Sequence, residues 1–114
     1  MTSTASRKSK GRLGQQEVAS KLLEAAPQLE PNDIRSTSMG SKGEDLLFSP
    51  KARKIYPISP EVKRRKSGFQ FLYDSIEQTD RPGNTYAPTV FLRQDRKSWL
   101  VLLRFEDWLK LIRS

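Results

Sequence analysis

Glu61-Val62-Lys63 sets a carboxylate and an ammonium two residues apart, and Arg64, Arg65 and Lys66 follow without interruption. Along a strand side chains alternate, so Glu61 and Lys63 would project from one face and Val62 from the other. Asp45 stands at the start of an earlier apolar stretch, Asp45 to Ser49. If the strands carrying the two acids are neighbours, both carboxylates converge beside Lys63. Such a hard, oxygen-lined site suits Mg²⁺ or Mn²⁺ held through few protein ligands and several waters. A metal there polarises a phosphodiester and lowers the pKa of a bound water, while Lys63 orients that water or offsets charge on the pentavalent phosphate. On an arbitrary strand Glu-x-Lys is a surface pair worth under about 1 kcal/mol, and a Lys/Arg run is a solvated face. The placement of Arg64, Arg65 and Lys66 directly after the candidate strand favours phosphate contact.

Composition limits the chemistry available. The chain has 114 residues, which predicts a single domain with one modest core. Its 21 Lys and Arg outnumber 13 Asp and Glu, a formal charge of +8 that favours a polyanionic partner such as nucleic acid or an anionic membrane surface. With no cysteine and no histidine, thiol and imidazole nucleophiles, an imidazole base and a Cys/His zinc site are excluded. Carboxylates, lysines, hydroxyls and a hard metal ion remain. Absence of cysteine is compatible with a reducing cytosol, and a cytoplasmic location is expected. No apolar run approaches the roughly 18 to 20 residues that span a bilayer, so no membrane partner is expected. No secretory leader is visible either.

The elements that would position these groups follow from periodicity and punctuation. Residues 1–10, small, polar and basic, are expected to form a flexible arm, with the folded domain over 11–114. Leu13, Val18, Ala19, Leu22, Leu23 and Ala26 recur at helical steps and predict a helix over about 12–25, closed by Pro27. Short strands are expected at 34–37, 45–49 and 55–64, with residues 38–43 as a loop and 50–53 as a turn. Pro57 and Pro60 cannot donate ladder hydrogen bonds, which places the start of the third strand at an edge or a bulge. Phe69, Leu72, Tyr73 and Ile76 predict a helix over about 68–79. Two apolar runs, 89–93 and 99–104, separated by Gln94-Asp95-Arg96-Lys97, predict a β-hairpin. A last amphipathic helix carries Phe105, Trp108, Leu109 and Ile112, and Trp99 and Trp108 are expected in the core. The class is α/β: a mixed central sheet flanked by helices, in the order α-β-β-β-α-β-β-α.

Gly43-Glu44-Asp45, followed on a later strand by Glu61-Val62-Lys63 and then a helix, resembles the PD-(D/E)xK nuclease superfamily, and within it the small, phage-type Holliday junction resolvase-like endonucleases. The Lys10-Gly11-Arg12 opening and the helix-borne Glu17 fit the same pattern, and the similarity covers residues 10–113. The resemblance implies a restriction-endonuclease-like core and a Mg²⁺- or Mn²⁺-dependent endodeoxyribonuclease. It implies that Asp45, Glu61 and the Val62 carbonyl ligate the metal, that Lys63 is the catalytic lysine, and that Glu17 completes the site directly or through water. It also implies that Gln70 contacts the same centre from the second helix. Glu44 and Asp45 cannot both face the metal on an alternating strand, and the Gly-x-Asp register favours Asp45.

The resemblance implies that the substrate is branched DNA in a bacterium or a phage-infected host, a four-way junction above all, cut symmetrically during recombination by a homodimer. Arg12, Arg35 and Lys42, with Arg64, Arg65 and Lys66, would line the nucleic-acid track. A nicking or flap-type endonuclease on other DNA, and a basic DNA-binding module without catalysis, are the alternatives. Outside such a site Glu17 would be an exposed helical acid paired with Lys21 at i+4, and Gln70 plain surface.

Overall fold

The structure, a computed structural model, describes residues 4–37 and 43–113. It is a small α/β protein whose described residues form four helices and two antiparallel sheets, and it divides into two compact units, residues 1–65 and 66–114. The expected central mixed sheet is replaced by two separate two-stranded sheets.

In the first unit, helix α1 spans Thr4–Ala25. It therefore runs through the stretch expected as an arm. The cause is propensity: alanine, lysine and arginine extend an already nucleated helix cheaply, with or without an apolar stripe. Ala19 and Leu22 from α1, with Ala26 just beyond its end, are buried, and α1 packs on strand β1, Ile34–Ser36. Strand β2, Leu46–Phe48, pairs antiparallel with β1 in the register Ile34 to Phe48 and Ser36 to Leu46. Alternation puts these four on one face, where Ile34 and Leu46 are buried, and leaves Arg35 and Leu47 exposed on the other.

The expected turn at residues 50–53 is helix α2, Pro50–Ile55. Ser49 caps it: its hydroxyl accepts the Ala52 N–H at 3.1 Å and donates to Asp33 Oδ1 at 2.6 Å, while Pro50 occupies the first helical position. Asp33 also accepts the Glu30 N–H at 2.6 Å. At the far end of α2, Tyr56 is 0% exposed and its hydroxyl donates to the Leu22 carbonyl at 2.7 Å, joining α2 to α1. Residues 57–65, expected as the bulk of a third strand, belong to no sheet. Pro57 and Pro60 have no N–H to give to a ladder, and the segment is held by other means described below.

The second unit holds helix α3, Gln70–Thr79, the hairpin of β3, Thr89–Leu92, and β4, Leu100–Leu103, and helix α4, Phe105–Arg113. The hairpin forms in the register Thr89 to Leu103 and Phe91 to Val101, and α3 packs against both strands. Phe69, Leu72 and Ile76 line an open cavity of about 430 Å³ with Leu102, Leu103 and Phe105. Arg104 bonds Asp80 at 3.0 Å, fixing the end of β4 against the end of α3. Trp108 is half-buried, whereas Trp99, expected in the core, is 63% exposed: it stands just before β4, whose first two residues, Leu100 and Val101, are exposed as well.

Two outcomes test this packing. Tyr56→Phe removes the hydroxyl and strands the Leu22 carbonyl, and should lower the unfolding free energy by about 1 kcal/mol in a urea titration. The Ser49 hydroxyl first, and the Glu30 N–H second, hold the Asp33 carboxyl below its ordinary range. A folded pKa below the unfolded one stabilises at neutral pH and is lost as pH falls through the folded value. Asp33→Asn should therefore flatten the acid limb of a stability-against-pH profile below about pH 4 while changing little of its slope near neutrality.

Candidate active site

The geometry around Asp45 is built by the backbone on both sides of it. The Thr37 N–H and hydroxyl both donate to the Asp45 carbonyl, at 3.0 and 3.1 Å, continuing the β1–β2 pairing by one residue. The Asp45 N–H donates to the Pro60 carbonyl at 3.4 Å, and the Asp45 Oδ2 accepts the Val62 N–H at 2.6 Å. A carboxylate thus supplies the acceptor for residue 62 that a neighbouring strand would otherwise provide. Asp45 and the Glu61-Val62-Lys63 segment are brought together.

Glu44 turns elsewhere. Its carboxylate pairs with the Arg53 guanidinium at 3.2 Å, as alternation between residues 44 and 45 requires. The same guanidinium donates to the Ile58 carbonyl and lies 4.8 Å from the centre of the Phe48 ring. Arg53 therefore clamps the 57–60 segment from one side, a role not read from the sequence. The available signal was the Ser49-Pro50 helix start, which places Arg53 in the last turn of α2.

On its other side the segment closes on α1. A Cβ added at Gly14 would meet the Arg64 Cβ at 3.2 Å and the Val62 Cγ1 at 3.6 Å. The side chains of residues 62 and 64 thus share the helix-facing side, and by alternation Glu61 and Lys63 project from the opposite one. There Lys63 Nζ stands 3.2 Å from Glu61 Oε1, both side chains being largely exposed. Gly14 had not been singled out in the sequence; a glycine inside a helical pattern is the signal that something approaches closely.

The remaining candidates are placed as follows. Glu17 is exposed on α1, and no group of three acidic side chains able to hold a metal forms among the described residues. Arg12, Arg35, Arg64 and Arg65 are exposed in the first unit, and Lys42 lies outside the described residues. Lys66 and Gln70 belong to the second unit, where Gln70 donates its amide to the Asp74 carboxylate one turn on, at 2.8 Å. Among the described residues no helix is long and apolar enough to cross a membrane.

No protein-family model, no curated protein and no solved structure matches the chain.

The candidate donors at residues 45, 61 and 62 are hard: two carboxylates and a backbone carbonyl. Their chemistry fits Mg²⁺ bound through one or two carboxylates with waters completing the shell, and not a soft metal. The close approach at Gly14 gives a direct test. Gly14→Val should push the 62–64 backbone off α1 and lower stability by about 1–3 kcal/mol, read as a fall in melting temperature.

Proposed function

We propose that the chain is a metal-dependent DNA endonuclease of the PD-(D/E)xK type, acting on branched DNA. The observation that carries this reading is the 2.6 Å hydrogen bond from the Val62 N–H to Asp45, because it registers the Asp of Gly-x-Asp against Glu-x-Lys. In this reading the Asp45 and Glu61 carboxylates and the Val62 carbonyl would hold Mg²⁺ or Mn²⁺, with Glu17 completing the site directly or through water as the resemblance implies. When bound, such an ion would polarise the phosphodiester and lower the pKa of a water.

The protein's own groups do the rest. Lys63, on the Glu61 side of the segment, gives its ammonium to the attacking water and to the charge that grows on phosphorus, leaving its pairing with Glu61. Water adds to phosphorus, one bridging P–O bond breaks, and that oxygen departs as an alcohol after taking a proton. Arg64 and Arg65, exposed directly after Lys63, fix neighbouring phosphates. A restriction-endonuclease-like core, a two-fold dimer cutting both strands of a four-way junction, and a cytoplasmic location complete the proposal.

One observation favours a second reading, a basic DNA-binding module without catalysis. The Asp45 carboxylate is occupied by a backbone N–H and Glu61 by Lys63, and no three acids cluster among the described residues. The two readings part on cleavage. Asp45→Asn keeps an oxygen for the Val62 N–H but loses the charge, so Asp45→Asn and Lys63→Ala should abolish Mg²⁺-dependent cutting of a labelled four-way junction, with binding in EDTA within about threefold of the parent. Either variant cutting at the parent rate would refute the site. A parent that binds but never cuts, with binding indifferent to Glu61→Gln, would establish the second reading.

A further inference from the structure

The hairpin of the second unit carries a feature that the nuclease reading does not use. Phe91 and Val101 are cross-strand partners, and Arg93 and Trp99 stand one residue beyond the paired strands, where continued alternation extends the Phe91–Val101 face and where the two side chains meet. On that face Phe91 is 67%, Trp99 63% and Val101 57% exposed. The Arg93 guanidinium lies 5.8 Å from the centre of the Trp99 ring, and its Nε donates to the Lys97 carbonyl at 2.9 Å, which holds the cation beside the indole. Arg96 and Lys97, both exposed, extend the positive charge along the turn, where Asp95 is the sole acid.

Exposed apolar area marks a contact surface, and the question is what covers it. A second copy would bring the same Arg93, Arg96 and Lys97 with it, in a chain already at +8. An unpaired, stacked strand of nucleic acid brings flat apolar bases and a negative backbone together, and matches both halves of the patch. We propose that the Phe91–Trp99 face of the hairpin binds single-stranded DNA, its bases stacking on the two rings and its phosphates meeting Arg93, Arg96 and Lys97. The choice of DNA over RNA rests on the proposed function; the stacking does not.

The test uses the full chain in EDTA, so binding is read whether or not the protein cuts, and loss of cleavage leaves this inference standing. Labelled oligo(dT) is titrated by anisotropy against a duplex with the same number of phosphates, with tryptophan emission followed in parallel. Oligo(dT) should quench the parent's tryptophan emission and the duplex should not. Trp99→Leu and Phe91→Leu, which keep apolar bulk but lose the ring, should each weaken oligo(dT) binding by about tenfold, and Trp99→Phe by less than about twofold. Leucine variants binding as tightly as the parent, or a duplex that quenches equally, would overturn the proposal. So would a parent dimer that Phe91→Asp dissociates in sedimentation velocity without loss of oligo(dT) affinity, an outcome that would assign the face to a second copy.

Discussion

The hydrogen bond from the Val62 N–H to the Asp45 carboxylate is the constraint on which the candidate site depends. Pro57 and Pro60 deprive the segment before it of two ladder donors, and residues 57–65 belong to no sheet. What remains is a set of side-chain and single backbone contacts. Asp45 takes the Val62 N–H and gives its own N–H to the Pro60 carbonyl, Arg53 holds the Ile58 carbonyl, and Gly14 leaves room for Val62 and Arg64 against α1. A charge-assisted bond is shorter and stronger than a neutral one, and here it fixes register where no ladder does. The chemistry that could follow is a consequence of that register: the Asp of one motif and the Glu and Lys of the other meet because a carboxylate stands in for a strand.

The chain's cations divide into two kinds. Arg53 and Arg104 are structural, each paired with an acid and each joining two elements. Arg12, Arg35 and Arg64 are exposed on the first unit, and on the second Arg93 lies beside the Trp99 indole with Arg96 and Lys97 exposed in the turn. The excess of positive charge is therefore left at the surface, where it raises the local concentration of a polyanion and makes its binding steeply dependent on salt.

Several elements were legible because their signal is local. The three-and-four spacing of Leu13 to Ala26 and of Phe69 to Ile76 is a face of a helix wherever it occurs, and the two apolar runs around Gln94-Asp95-Arg96-Lys97 have little alternative to pairing with each other. Helix α2 was hidden because six residues are too few for periodicity to speak, although Ser49-Pro50 announced its start. The N-terminal extension of α1 was hidden for the opposite reason: propensity without amphipathicity resembles a coil. Trp99 was expected inside because large aromatic residues usually are, and a strand's alternation does not say which of its faces will be covered.

By itself the sequence determined the inventory: hard oxygen donors, a lysine and a surplus of cations, with every thiol- or imidazole-based chemistry excluded. It also determined the body of α1, helices α3 and α4 and the hairpin, whose hydrogen bonds and apolar stripes join residues close along the chain. Only the tertiary structure decided that Glu44 goes to Arg53 and Asp45 to Val62, that Gly14 receives the returning segment, and that the Phe91–Trp99 face stays bare. These depend on contacts between residues far apart in sequence. No local pattern records which partner a side chain will find when several lie within reach.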